Sequence, residues 1–351
     1  MLVRSRLTAC LCAFTLLTAA YVDGAAAAPP AAASAQARWV EEEVSFRVDG
    51  MTVYGTWRHP ARAGRPVPAA LLIAGSGPTD RDGNSALLSG VNSLKSTAEL
   101  LSKAGVASLR YDKLGTGKTG LGPYADKVAD IGVGVFERQA QAALAFLARR
   151  PGVDKRRLTA IGHSEGALFA LLLATRSKTP VRGVALLQPL SRRYLDVISA
   201  QVTAQLRAQV QAGLITEAQA KEIGDAMARA VASLRADGTV PPNLPGGLSS
   251  LLSPVNAKFL SEIDRLDPPK VAARLKPRTP ALLSCSDADI QVSCADVEHL
   301  ATGLRKADTT FVRLTGVSHV LKEDPSRTAE HYGDPLPYSR QLKKALQAFA
   351  R

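Results

Sequence analysis

Between residues 68 and 189 short apolar runs alternate with helical text. "PAALLIAGSG" (68–77), "VASLRYD" (106–112), "RLTAIGHSEG" (157–166) and "VRGVALLQP" (181–189) read as strands. "LKSTAELLSKAG" (94–105), "VADIGVGVFERQAQAALAFLARR" (128–150) and "ALFALLLATR" (167–176) read as helices. Apolar strands in alternation with helices predict a mostly parallel sheet covered on both faces. "VSFRVDGMTVYGTWRHP" (44–60) precedes them as a hairpin turning at Asp49-Gly50. The alternation stops after Tyr194 and returns with "TPALLSCSD" (279–287), a helix around 295–304, a strand at 309–316 and a last helix at 337–351. A helical block is therefore expected as an insertion between two strands of one sheet, at 193–270.

The N-terminus is set apart from this fold. Two arginines, the apolar run "LTACLCAFTLLTAAY" (7–21) and "AAAA" (25–28) follow the order of a secretory signal peptide over 1–27. Residues 28–40 are expected as a disordered lead-in, leaving 41–192 and 271–351 as the core. The protein is then periplasmic or secreted, with no membrane span once the signal is cut. The net charge of +13 is scattered, with no basic run interleaved with aromatics, which argues against a nucleic-acid partner. Oligomeric state cannot be read.

"GHSEG" (162–166) matches Gly-x-Ser-x-Gly at a predicted strand-to-helix junction. Such a turn lifts the hydroxyl of Ser164 above the sheet, and Gly162 and Gly166 let the chains pass close by. The N–H of Glu165 then faces a developing oxyanion at a helix N-terminus. A serine nucleophile needs a base and an orienting acid, in the order Ser, acid, His. Of the five histidines, His319 is preferred: it follows a strand in the loop "GVSHV", whereas His299 lies mid-helix and His331 in a polar loop. Asp287 and Asp289 both follow the preceding strand, and Asp296 lies further on. The loop "IAGSGPTDRDGN" (73–84) offers a second oxyanion donor, the N–H of Ser76, with Gly75 and Gly77 allowing tight backbone. Asp80, Arg81 and Asp82 are expected to tie this loop down. The histidines lack metal-ligand spacing, so neither a metal nor another cofactor is expected.

"RYDKLGTGKTG" (110–120) contains the Gly-Lys-Thr that ends a phosphate loop. The glycine such a loop needs five residues before Gly117 is Asp112 here, and a carboxylate there repels phosphate.

Four segments, "IAGSGPTDRDGN", "RYDKLGTGKT", "IGHSEGA" and "DADIQVS…GVSHVLK", resemble the α/β-hydrolase superfamily, in its bacterial esterase-like branch related to the S33 serine aminopeptidases. The resemblance implies an α/β-hydrolase fold with an inserted helical cap and a triad of Ser164, Asp289 and His319, with Asp287 in reserve. It makes "RYDKLGTGKTG" a structural turn beside the site. Ser286, Cys285 and Cys294 depart from the usual pattern.

Cys285 and Cys294 flank Asp289 in a chain expected to be exported. A disulfide between them would fix the acid loop; two buried thiols are the alternative. The expected activity is hydrolysis of a small carboxylic ester through an acyl-enzyme. The alternatives are an aminopeptidase or amidase, whose free-amine substrate would want an acidic pocket such as Glu217, Glu222 and Asp225 could form, and a non-catalytic binding protein on the same scaffold.

Overall fold

A computed structural model describes residues 39–62 and 64–350. The expected signal peptide and most of the lead-in fall outside these residues. The first strand, β1 (Trp39–Val48), starts two residues inside the stretch expected as lead-in. It pairs antiparallel with β2 (Met51–Pro60) through a two-residue turn in which Asp49 and Gly50 have φ of 51° and 73°. Both left-handed values fit the turn whose twist matches a hairpin, which explains the Asp-Gly.

Six further strands complete one sheet: β3 (Val67–Ile73), β4 (Ala107–Tyr111), β5 (Val153–His163), β6 (Gly183–Leu187), β7 (Pro280–Ser286) and β8 (Asp308–Leu314). Their spatial order is β1-β2-β4-β3-β5-β6-β7-β8. β2 runs antiparallel to both its neighbours, and β4 through β8 are mutually parallel. Parallel strands put their carboxyl ends along one edge, so the loops after β3, β5, β6, β7 and β8 gather there. β3 lies between β4 and β5, where the winding direction reverses and the loops on either side splay apart.

Helices cover both faces. α1 (Ser93–Lys103) and α9 (Arg340–Phe349) pack on one; α2 (Val133–Ala148) and α3 (Glu165–Arg176) pack on the other. β3 shows the alternation that divides the two cores: Ala69, Leu71 and Ile73 face α2 and α3, while Ala70 and Leu72 face α1. α3 has no polar stripe over "ALFALLL" because it is buried on all sides.

The expected long helix at 128–150 is shorter than its periodicity suggests. A 3-10 turn occupies Val128–Asp130, Gly132 is extended, and α2 begins at Val133. The break is made from far away: the carboxylate of Glu262 accepts the free N–H of Val133 at 2.7 Å.

Between β6 and β7 lie α4 (Tyr194–Gln211), α5 (Glu217–Ala236), α6 (Ala257–Asp264) and α7 (Pro268–Ala272). The first three enclose their own apolar cluster, including Leu195, Leu206, Met227, Leu234 and Leu260. Val271 and Ala272 of α7 belong instead to the core beneath α3. Asp264, buried at the end of α6, gathers Arg193, Arg235 and the N–H of Leu195 at 2.6, 2.9 and 2.9 Å. α8 (Cys294–Ala301) follows β7. No helix among the described residues is long and apolar enough to cross a membrane.

Candidate active site

Ser164 stands between the end of β5 and the start of α3, with φ 53° and ψ −122°. Only a turn pinned on both sides keeps a non-glycine residue in such a conformation. Here the Ser164 N–H donates to Leu187 O at 3.0 Å, and Ser164 O accepts from Leu190 and Ala167 at 3.0 and 3.1 Å. The two flanking glycines are required by contact. A Cβ on Gly162 would overlap the Gly166 backbone, and one on Gly166 would overlap the carbonyl of Ile73. Ser164 is half-buried while its neighbours from Ile161 to Leu168 are buried, so within this turn it alone meets solvent.

The loop after β8 brings His319 against the loop after β7. The Asp289 carboxylate accepts from His319 Nδ1, with its oxygens at 2.8 and 3.0 Å. The two side chains are 0% and 4% exposed, so water does not compete for this bond. Two further donors, Gln291 N–H at 2.8 Å and Val292 N–H at 3.0 Å, fix the carboxylate. An Nδ1–H directed at a carboxylate leaves Nε2 with its lone pair free to take a proton.

The other candidates go elsewhere. Asp287 is exposed and accepts the N–H of Gly316 at 2.8 Å, tying the two loops. Asp296 lies in the first turn of α8, where its N–H donates to the capping Ser293 hydroxyl and its carboxylate accepts from that hydroxyl and pairs with Arg192. His299 lies on the exposed side of α8, and His331 pairs with Asp334 at the surface.

Cys285 and Cys294 are joined in a disulfide with a Cα–Cα distance of 5.1 Å. It closes the end of β7 onto the start of α8, with Asp289 inside the ring. The departure at Ser286 has a use here. Its buried hydroxyl accepts the N–H groups of Ala288 and Val317, both at 3.2 Å, bracing the acid loop against the His319 loop. A glycine could not do this.

Three side chains that motif reading did not single out surround the site. His163, just before Ser164, donates from Nε2 to His319 O at 2.7 Å. Burial, and then the nearby His319, hold its pKa down to about 3, so it is a neutral donor. Lys113 donates to the carbonyl of Gly75 and lies 3.8 Å from a carboxylate oxygen of Glu165. Burial pulls the Lys113 pKa down and pushes the Glu165 pKa up; the attraction between them, and a hydrogen bond from Tyr194 to Glu165, oppose this. Histidine 163 was legible only as a motif letter, and Lys113 only as a neighbour of a false phosphate loop.

The loop after β3 carries Gly75, Ser76 and Gly77. Gly75 is packed onto Ser164: a Cβ there would stand 3.1 Å from Ser164 Cβ. Gly77 has φ 69°, and Ser76 O accepts from Thr79 Oγ1 at 2.8 Å. The acid-rich end of the loop is tied down as expected. Asp80 accepts the N–H groups of Asp82 and Asn84, Arg81 pairs with Asp112 at 2.7 Å, and Asp82 pairs with Arg110 at 2.6 Å. Asp112 also accepts Lys118 N–H at 3.0 Å, and a Cβ on Gly117 would overlap its carboxylate. The centre of "RYDKLGTGKTG" is thus filled by an anionic side chain, which leaves no cradle for phosphate.

A sheet of this order, with a strained serine between β5 and α3 and an Asp–His pair on the last two strand loops, is that of the α/β-hydrolases. Residues 89–326 match the family model of the S33 serine aminopeptidases, and the chain belongs to this family. Solved structures similar to it include the esterase Pf2001 of Pyrococcus furiosus, with a TM-score of 0.55 and 17% identity over 92% of this chain and 96% of that one. The α/β hydrolase GrgF from Penicillium sp. sh18 gives 0.54 and 18% over 89% and 98%. Est1E from Butyrivibrio proteoclasticus, bound to ferulic acid, gives 0.53 and 16% over 87% and 97%. At these identities the likeness is one of fold. No curated protein matches the sequence.

Proposed function

We propose that the protein is a serine hydrolase that cleaves carboxylic esters through an acyl-enzyme on Ser164. The observation that carries this is the dry, doubly anchored Asp289–His319 pair on the same sheet edge as a strained, half-buried serine. His319 Nε2 takes the Ser164 proton as Oγ attacks the ester carbonyl, and Asp289 stabilises the imidazolium that forms. The N–H groups of Ser76 and Glu165 receive the oxyanion. Collapse of the tetrahedral intermediate passes the proton to the leaving alcohol. His319 then deprotonates water, which releases the acid and restores Ser164.

The choice of ester over a free-amine peptide is supported by α5. Glu217, Glu222 and Asp225 are exposed, and Asp225 pairs with Lys221 one turn away at 2.7 Å, as on a solvated helix face. The helical block serves as the cap. It touches the elbow through Tyr194 and Glu165, and the acid loop through Gln201 Nε2 and Gln291 O at 3.1 Å. Export to the periplasm or beyond is supported by the leader sequence and by a disulfide, which suits an oxidising compartment.

The test mixes residues 28–351 with p-nitrophenyl acetate, butyrate and octanoate and with aminoacyl p-nitroanilides, beside Ser164→Ala. A stoichiometric burst with turnover on esters, absent in the variant, is the expected result. Turnover of aminoacyl anilides alone would replace the ester reading with the peptidase one, and no turnover on either would remove both.

A further inference from the structure

The triad leaves the turn "RYDKLGTGKTG" without a chemical role, yet one of its side chains reaches the site. Lys113 is the second residue after β4 and is buried. The backbone around it is held on several sides. Leu114 N–H donates to Gln139 Oε1 at 3.0 Å, Thr116 Oγ1 donates to Lys113 O at 2.9 Å, and Asp112 is clamped by Arg81. Its ammonium therefore has a fixed position, donating to Gly75 O and sitting 3.8 Å from the Glu165 carboxylate.

These two contacts reach both of the expected oxyanion donors. Gly75 C=O shares one peptide unit with Ser76 N–H. No peptide bond among the described residues is cis, and in a planar trans unit C=O and N–H point in opposite directions. A cation that holds the carbonyl on one side turns Ser76 N–H to the other. Gly75 lies against Ser164 Cβ, and Ser76 O is held by Thr79, so the peptide is bounded on its remaining sides. If the Lys113 contact is removed, the peptide can rotate and offer a carbonyl dipole where negative charge develops.

We propose that Lys113 is a positioning residue of the oxyanion hole, holding the Gly75–Ser76 peptide so that Ser76 N–H faces the oxygen of an acyl group attacked by Ser164. This rests on the acyl-transfer reading above. Lys113 does not touch the reacting atoms. Glu165 balances its charge, and the hydrogen bond between Glu165 and Tyr194 extends the network to the first residue of α4. The oxyanion exists only in and near the transition state, so the effect of Lys113 belongs in kcat rather than in KM.

The experiment compares wild type, Ser164→Ala, Lys113→Met and Lys113→Gln on p-nitrophenyl butyrate. It also measures affinity for an alkyl trifluoromethyl ketone, which forms a tetrahedral oxyanion adduct on serine, and for butyrate, which does not. Expected for Lys113→Met is a kcat lower by about 10²-fold with KM within about twofold, and ketone affinity lower by a similar factor. Butyrate affinity stays unchanged. Wild-type kcat and ketone affinity in the variant would overturn the assignment while leaving acyl transfer in place. Equal losses for ketone and butyrate would also overturn it, as the mark of general misfolding of the pocket. Absence of Ser164-dependent turnover in the wild type would remove both readings. Should Lys113→Met fail to give a folded circular dichroism spectrum, Lys113→Gln decides by the same readouts.

Discussion

His163 and His319 are bonded through unlike parts: the ring Nε2 of His163 donates to the backbone oxygen of His319 at 2.7 Å, with the ring centroids 4.9 Å apart. The residue before Ser164 thus holds the loop that carries His319. This bond requires a proton on Nε2 of His163, and burial keeps the ring neutral down to about pH 3.

That depressed pKa makes stability depend on pH. The unfolded chain protonates this histidine near pH 6.5, while the folded protein resists until about pH 3. The contribution is complete above pH 6.5 and is lost progressively between 6.5 and 3, at up to ~1.4 kcal/mol per pH unit. Urea titrations of wild type and His163→Asn from pH 7.5 to 4.5 should converge as pH falls. Parallel curves would show that His163 titrates normally.

Replacing Asp289 by Asn should lower kcat by roughly 10³–10⁴-fold, because the amide no longer secures Nδ1–H and with it the lone pair on Nε2. Asp287→Asn should change kcat by no more than about threefold, since the amide oxygen can still accept the exposed Gly316 N–H. Steady-state kinetics on one ester substrate separate the two, and a reversed ranking would transfer the acid's role to Asp287.

The Cys285–Cys294 bridge closes a short loop. Cys285→Ser with Cys294→Ser should remove ~2.5–3 kcal/mol of stability on the chain-entropy model. In a chain of this size that lowers Tm by roughly 4 °C. Differential scanning calorimetry measures the shift, and kcat should fall alongside because Asp289 lies inside the ring. An unchanged kcat would show that the two backbone donors to Asp289 hold it unaided.

Asp264 is 1% exposed and holds two arginines that are themselves 39% and 31% exposed. Asp264→Ala should cost about 2 kcal/mol, well below a fully buried ion pair, because both guanidinium groups can still reach water. Limited proteolysis should cut within α4 to α6 before the sheet is touched. Uniform cleavage would show that the block unfolds only with the rest.

Strand order aside, the sheet was legible because its central strands are short apolar runs that alternate with helical segments. The elbow was legible because its constraints are local: glycines on either side of a serine, at a junction the pattern already marks. What the text of the chain could not show is set by contacts across it. The start of α2 is decided by Glu262, which lies 129 residues beyond Val133. Asp287 and Asp289 are chemically alike and two residues apart, and only the folded loops decide which meets His319. Lys113 reads as part of a loop resembling a phosphate motif, because nothing in its neighbourhood announces Gly75, 38 residues earlier.

The separate apolar cluster of α4, α5 and α6 divides labour within the chain. Its side chains pack on one another, while Ser164, Asp289 and His319 hang from the sheet edge, which is joined to the block by a few polar contacts. Substitutions inside the block can change its own packing without entering the core that surrounds Ser164. Such a layer can accumulate change on its own while the sheet edge beneath it stays as it was.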